Sequence, residues 1–287
     1  MKYNTNDKIA KYSHSSYEET EIVELYKLNE NNIKKYCEWV HNNYQPIVKE
    51  WDANINTYWT SKYYIAVKFI FMSKLLFKSY EYAKEKNLKV VIPYLIYYSF
   101  LTASRSLIMT SPIYKNDINK KEMTHNCIIA TTADIIAKLD KESSKNYIKI
   151  IETAKSYREL YSYRFPASGL NLFLDKSSDI ISQIKLIKEL AILNSQILDV
   201  QLSKIKNIDI FKINEIDKVC KFSIKNDSDI FDEQDYYNMR YISKKIKRPY
   251  PLTRMFSEGM EEDFASSWHS DDLDNLSDIF VPPEFIF

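Results

Sequence analysis

"SSDIISQIKLIKELAILNSQILDVQLSKIK", residues 177–206, decides the fold class. Ile181, Ile184, Ile187, Leu190, Leu193, Ile197 and Val200 recur every three or four positions, the period of one face of an α-helix. Polar residues fill most of the gaps, so the stretch predicts a long amphipathic helix with a near-continuous apolar stripe. A stripe of that length is stable only when other elements cover it.

The same period recurs toward the N-terminus. The most apolar run, "VVIPYLIYYSFLTAS" (90–104), is closed by Arg105. It is shorter than the ~20 residues a membrane span needs, so it predicts a buried core helix over 90–110. Pro93 falls in that helix's first turn, where proline is tolerated. Residues 57–86 space Tyr64, Val67, Ile70, Phe71 and Leu75 helically, with Lys62, Lys68 and Lys74 between them. "THNCIIATTADIIAKL" (124–139) reads as an apolar helix. Another helix, capped by Ser143 or Ser144, runs to about Tyr163, where Pro166 and Gly169 stop it. A capping box, Ser16-x-x-Glu19, opens a first helix to about Leu28, and "NENNIKKYCEWVHNNY" suggests a second.

Past Lys206 the pattern weakens. "IDIFKI" (208–213) and "CKFSI" (220–224) alternate as strands do and predict one short hairpin. Residues 232–247 read as helix, and "RPYPLTR" (248–254) as an extended, proline-stiffened linker. The expected fold is a mainly α multi-helix bundle. Its parts are a helical core (1–206), a small mixed α/β extension (207–254) and an acidic aromatic tail (255–287).

Composition removes whole classes of function. With two glycines in 287 residues, and neither GxGxxG nor GxxxxGK[ST], the usual glycine-rich phosphate loops are excluded. Cys37, Cys127 and Cys220 are far apart with no CxxC, and the first residues lack a signal peptide's apolar core, so a cytoplasmic protein is expected. Cys37 and His41 would share a helix face, but no second such pair completes a ligand set; no metal and no cofactor are expected. GxSxG is absent as well.

Charge is segregated along the chain. All 40 Lys and Arg residues lie at or before Arg254, whereas residues 255–287 hold nine of the 39 acids and no Lys or Arg. The body is therefore near +10, 40 cations against 30 acids, and the tail −9. The tail also carries Phe256, Phe264, Trp268, Phe280, Phe285 and Phe287, although solvated acidic segments are usually poor in aromatic groups. Phe264, Trp268, Phe280 and Phe285 are expected to dock, either on a basic partner or on this chain's own core.

"RELYSYRFPASG" (158–169) gathers Arg158, Tyr161, Tyr163 and Arg164 at a helix end. Arg105 lies on an apolar helix, where an uncompensated charge is costly, and His125 opens a helix after a polar loop. If these converge, they form a cationic, tyrosine-lined pocket suited to phosphate or RNA. Locally, the arginines would instead complement the helix's negative end and the tyrosines pack on a neighbour. With 23 tyrosines in the chain, most windows look tyrosine-rich.

"IPYLIYYSFLTASRSLIMTSP" (92–112), a polar loop and "HNCIIATTADIIAKL" (125–139) together resemble the helical core of HEPN-type proteins, over about residues 57–206. That family is all-α and includes ribonucleases of toxin–antitoxin and antiphage systems as well as catalytically silent members. Its ribonuclease signature is an arginine followed, four to six residues on, by a histidine; no such pair occurs, and Arg105 and His125 are 20 positions apart. The resemblance implies a non-catalytic interaction subunit of a bacterial defence or toxin–antitoxin complex, binding a protein partner, RNA or DNA, with no membrane and with self-association open. The alternative is a divergent metal-independent ribonuclease, with His125 as general acid or base and Arg105 with Arg158 stabilising the phosphorane charge.

Overall fold

Short polar side chains set the helix starts. Asn29, Asp52, Thr124, Asp140 and Asp232 each accept a hydrogen bond from a backbone N–H of the turn they open, supplying a partner that the helix itself lacks. The computed structural model describes residues 27–114, 123–168, 177–223 and 228–268. Its elements are α1 (Glu30–Lys49), α2 (Ala53–Glu85), α3 (Ile92–Met109), α4 (His125–Leu139), α5 (Lys141–Tyr163) and α6 (Ser177–Leu202). A two-stranded antiparallel sheet follows, β1 (Lys221–Phe222) and β2 (Ile230–Phe231), then α7 (Glu233–Lys245) and α8 (Glu258–Ser267). The protein is a mainly α multi-helix bundle. Among the described residues no helix is long and apolar enough to cross a membrane.

α3 is the axis of the bundle, packing against α2, α4, α5 and α6. Small residues let α2 and α3 approach: Ser73 Oγ donates to the Ser99 carbonyl at 2.8 Å, and Ser99 Oγ to the Ser73 carbonyl at 2.7 Å. Both hydroxyls are thereby satisfied inside the core. α6 covers α1 and α3, and the fully buried Tyr36 hydroxyl of α1 donates to Asn194 Oδ1 of α6 at 2.9 Å.

The region beyond α6 is fastened to α2. Asn56 Nδ2 donates to the carbonyls of Lys212 (2.9 Å) and Lys247 (2.8 Å), while its Oδ1 accepts from Trp51 Nε1 at 3.3 Å. Asp235 of α7 takes the Tyr64 hydroxyl at 2.6 Å and ion-pairs with Lys68 at 2.5 Å. Phe256 stacks on Tyr64 and meets Phe71 edge-on, both at 5.1 Å between centroids. Val219, Met239, Ile242, Leu252, Met255 and Met260 join the same buried cluster as the helices of the N-terminal part.

Several local expectations are corrected. Asp140, not Ser143 or Ser144, caps α5; Ser144 is buried and donates to the Ala133 carbonyl at 2.8 Å. α6 stops at Leu202 rather than 206. α5 ends at Tyr163 as expected, on the Leu160 carbonyl, which accepts from the Arg164 and Phe165 amides, with Phe165 in the left-handed conformation (φ 40°); Gly169 lies outside the described residues. "CKFSI" does contribute a strand, but its partner is Ile230–Phe231, with Lys221 opposite Phe231 and Phe222 opposite Ile230. "IDIFKI" instead holds a 3-10 turn at Ile208–Ile210. Of the helix expected from Ser16, residues 16–26 lie outside the described residues and Lys27 and Leu28 are not helical.

Candidate functional site

Tyr94, Tyr97 and Tyr98 sit at helical spacing on the first half of α3. Tyr97 is fully buried, and its hydroxyl shares a 2.9 Å hydrogen bond with Nδ1 of His125, the first residue of α4. The imidazole also contacts both tyrosine rings, with centroids 5.6 Å from Tyr97 and 5.9 Å from Tyr98. From α5 the Arg158 guanidinium lies over the Tyr97 ring, Cζ 5.3 Å from its centroid. α4 and α5 thus each deliver one side chain, His125 and Arg158, to a phenol carried by α3.

The Arg158 side chain is 16% exposed. One terminal nitrogen reaches Glu159 at 3.3 Å, and its Nε is buried without a hydrogen-bond partner. Lys155, one turn earlier, donates to Asn126 Oδ1 at 2.7 Å and pairs with Glu152 at 3.6 Å. Burial pushes the Tyr97 phenol up to about 12, against the pull of the Arg158 charge. It is therefore a neutral hydroxyl near pH 7.

Arg105 is elsewhere. It lies eight residues beyond Tyr97, about 12 Å along α3 at 1.5 Å per residue. Its Cζ is 5.5 Å from the Phe69 ring centroid. There it lines a mostly apolar pocket of about 620 Å³ with Phe69, Met72, Met109, Phe222 and Trp268 among the walls. The stretch 158–169 divides likewise: Arg158 and Tyr161 face inward, whereas Tyr163 and Arg164 are exposed. In the tail, Phe264 of α8 packs on Phe71 at 5.1 Å within the chain, and Trp268 is exposed. Phe280 and Phe285 lie outside the described residues. Among the described residues no three His, Cys, Asp or Glu groups gather as metal ligands do, and Cys37 is a buried thiol pushed up to about 12 by desolvation.

Tyr97, Lys155 and Asn126 are the members that sequence reasoning missed. The one local signal was for Tyr97, the tyrosine triplet in an otherwise apolar helix, "PYLIYY" (93–98); Lys155 and Asn126 have none of their own. No known protein family, curated protein or solved structure matches the chain. Fold and site define a mainly α bundle with a tyrosine-centred cluster of His125 and Arg158 where α3, α4 and α5 meet.

Proposed function

We propose that this is a non-catalytic helical interaction subunit, of the HEPN-like type that serves bacterial defence or toxin–antitoxin complexes, and that it recognises nucleic-acid phosphate at the Tyr97 cluster. The observation that carries the reading is the meeting of His125 and Arg158, 33 positions apart in sequence, on the Tyr97 side chain. Arg158 adds a buried Nε–H with no acceptor, a donor that a phosphate oxygen suits.

Binding is favoured over cleavage by proton inventory. Metal-independent cleavage needs one group to take a proton and one to give it. The cluster offers a single imidazole, a phenol held near 12 is a poor second partner, and Arg105 lies off the cluster. The divergent ribonuclease remains the second reading, supported by the 2.9 Å bond that would orient the His125 ring.

Fluorescence anisotropy with a labelled 20-nucleotide RNA over a salt series tests both. Arg158→Ala should weaken binding about tenfold and reduce the salt slope by about 0.7, the value of one phosphate contact on a single strand. Arg158→Lys should not restore it, because an ammonium lacks the flat fork that stacks on a ring. Failure of the wild-type protein to bind RNA would remove the proposal. RNA cleavage by the wild type that disappears in His125→Ala would replace it with the second reading.

A further inference from the structure

We propose a second nucleic-acid surface, formed by α7 and the hairpin, that takes single strands by stacking their bases on exposed rings. The hairpin register puts Phe231 beside Lys221, and all four hairpin residues are exposed. From Phe231 the rings continue: Tyr236 at 5.7 Å, then Tyr237 at 6.1 Å, with Tyr241 one turn further along α7. Phe231, Tyr237 and Tyr241 expose 43%, 58% and 44% of their surface, unusual for large rings without a partner.

Cations lie among these rings. Tyr237, Arg240, Tyr241 and Lys244 fall at i, i+3, i+4 and i+7, one outward face of α7, while Asp235, Asn238, Met239 and Ile242 hold the opposite face in the core. None of Lys221, Arg240, Lys244 and Lys245 takes part in a described ion pair, whereas Lys78, Lys86, Lys145, Lys155 and Lys218 are each matched by a nearby glutamate. Acids border the surface rather than fill it: Asp229 precedes the second strand, Asp232, Glu233 and Asp235 stand at the start of α7, where Asp232 caps the helix and Asp235 holds Lys68, and Asp263 of α8 accepts from Gln234. From Tyr236 to Arg254 the chain has no Asp or Glu and six Lys or Arg residues. A polyanion matches the charge, and the ring ladder selects unpaired bases, because duplex bases already stack on one another. An acidic peptide would use the cations and leave the rings uncovered.

The surface is separate from the Tyr97 cluster and does not rest on that reading. The full chain is titrated into a labelled 20-nucleotide oligothymidylate at several salt concentrations, with duplex DNA and polyglutamate as competitors. Tyr237→Ala/Tyr241→Ala should weaken binding at least fivefold, the low end for one stacked base, with the salt slope unchanged. Tyr237→Phe/Tyr241→Phe, which keep the rings, should bind as the wild type does. Arg240→Gln/Lys244→Gln should lower the slope by about 1.4, two phosphate contacts on a single strand. The proposal is overturned if the alanine pair binds normally, if duplex or polyglutamate competes as well as the oligonucleotide, or if the wild type does not bind. Each variant is checked by circular dichroism, and Arg158→Ala run alongside separates failure here from failure at the Tyr97 cluster.

Discussion

Lys62→Met should make the protein more stable at neutral pH, and the gain should vanish on raising the pH. Lys62 has no exposed surface; its Nζ donates to the Tyr114 carbonyl at 2.8 Å and sits 4.1 Å from the Trp59 ring centroid. Burial lowers the ammonium from 10.5 to about 7. Between these values the unfolded chain holds a proton that the folded chain has released, so stability rises with pH across that window. The cost is fully present below about 7 and absent above 10.5. At about 1.4 kcal/mol per pH unit the whole span corresponds to roughly 5 kcal/mol, of which about 2 kcal/mol disappears between pH 7 and 9. Methionine keeps an unbranched chain and removes the charge, but it strands the Tyr114 carbonyl at a cost of about 1–3 kcal/mol. The expected net gain is therefore about 2 kcal/mol at pH 7, shrinking toward zero by pH 9. Urea unfolding at pH 6, 7, 8 and 9, followed by tryptophan fluorescence, reads it directly, provided the urea dependence (m) is equal in the two proteins. A gap between the two proteins that stays constant from pH 7 to 9 would refute the reasoning.

Asp235→Ala removes the partner of both Lys68 and Tyr64, and should destabilise by about 3 kcal/mol in urea melts; an unchanged midpoint would show that α7 is held by its apolar face alone. Burial, reinforced by Glu258 and opposed by Lys74, raises the Glu261 carboxyl to about 7. Its folded form holds a proton that the unfolded chain releases, so this stabilisation is complete below about 4.5 and gone above about 7. Glu261→Gln should accordingly flatten the fall in Tm between pH 5 and 7.5, and parallel Tm profiles for the two proteins would count against that assignment. Phe264→Ala removes the α8 contact with Phe71, so a glutamyl endoprotease should cut after Glu261 and Glu262 several-fold faster; equal rates would mean that Phe256 and Met260 suffice to hold α8.

The helices were legible where one face carries the burial. α6 announces itself through its isoleucine and leucine stripe, and α3 through its apolar run closed by Arg105. The first half of α2 is buried on almost every side, so it reads as apolar without showing which neighbour it serves. The expected hairpin pairing differs because alternation marks a strand and says nothing of what it pairs with; here the Asp232 amide at the start of α7 continues the pairing by donating to the Cys220 carbonyl at 2.8 Å. α8 lay hidden in an acidic segment whose few anchors, Met260 and Phe264, gain meaning only once α2 is in place. Of the site, Arg158 and His125 stood out as residue types, but their meeting point did not. A buried tyrosine in an apolar helix is ordinary locally, and only the crossing of α4 and α5 over α3 makes Tyr97 a hub.

The Asn56 amide has a mechanical consequence. One side chain grips the carbonyls of Lys212 and Lys247, so both ends of the 34 intervening positions are tied to one point at the start of α2, where the Thr57 hydroxyl also accepts from the Asn214 amide at 2.9 Å. Losing that amide would loosen both ends of the segment in one event, while Asp235 still holds α7 to Tyr64 and Lys68. The orientation of α7's aromatic face is thus shared between Asn56, about 180 positions earlier in the chain, at the end of the helix and Tyr64 with Lys68 at its start, and a substitution at Asn56 would loosen one end of the platform without touching the platform itself.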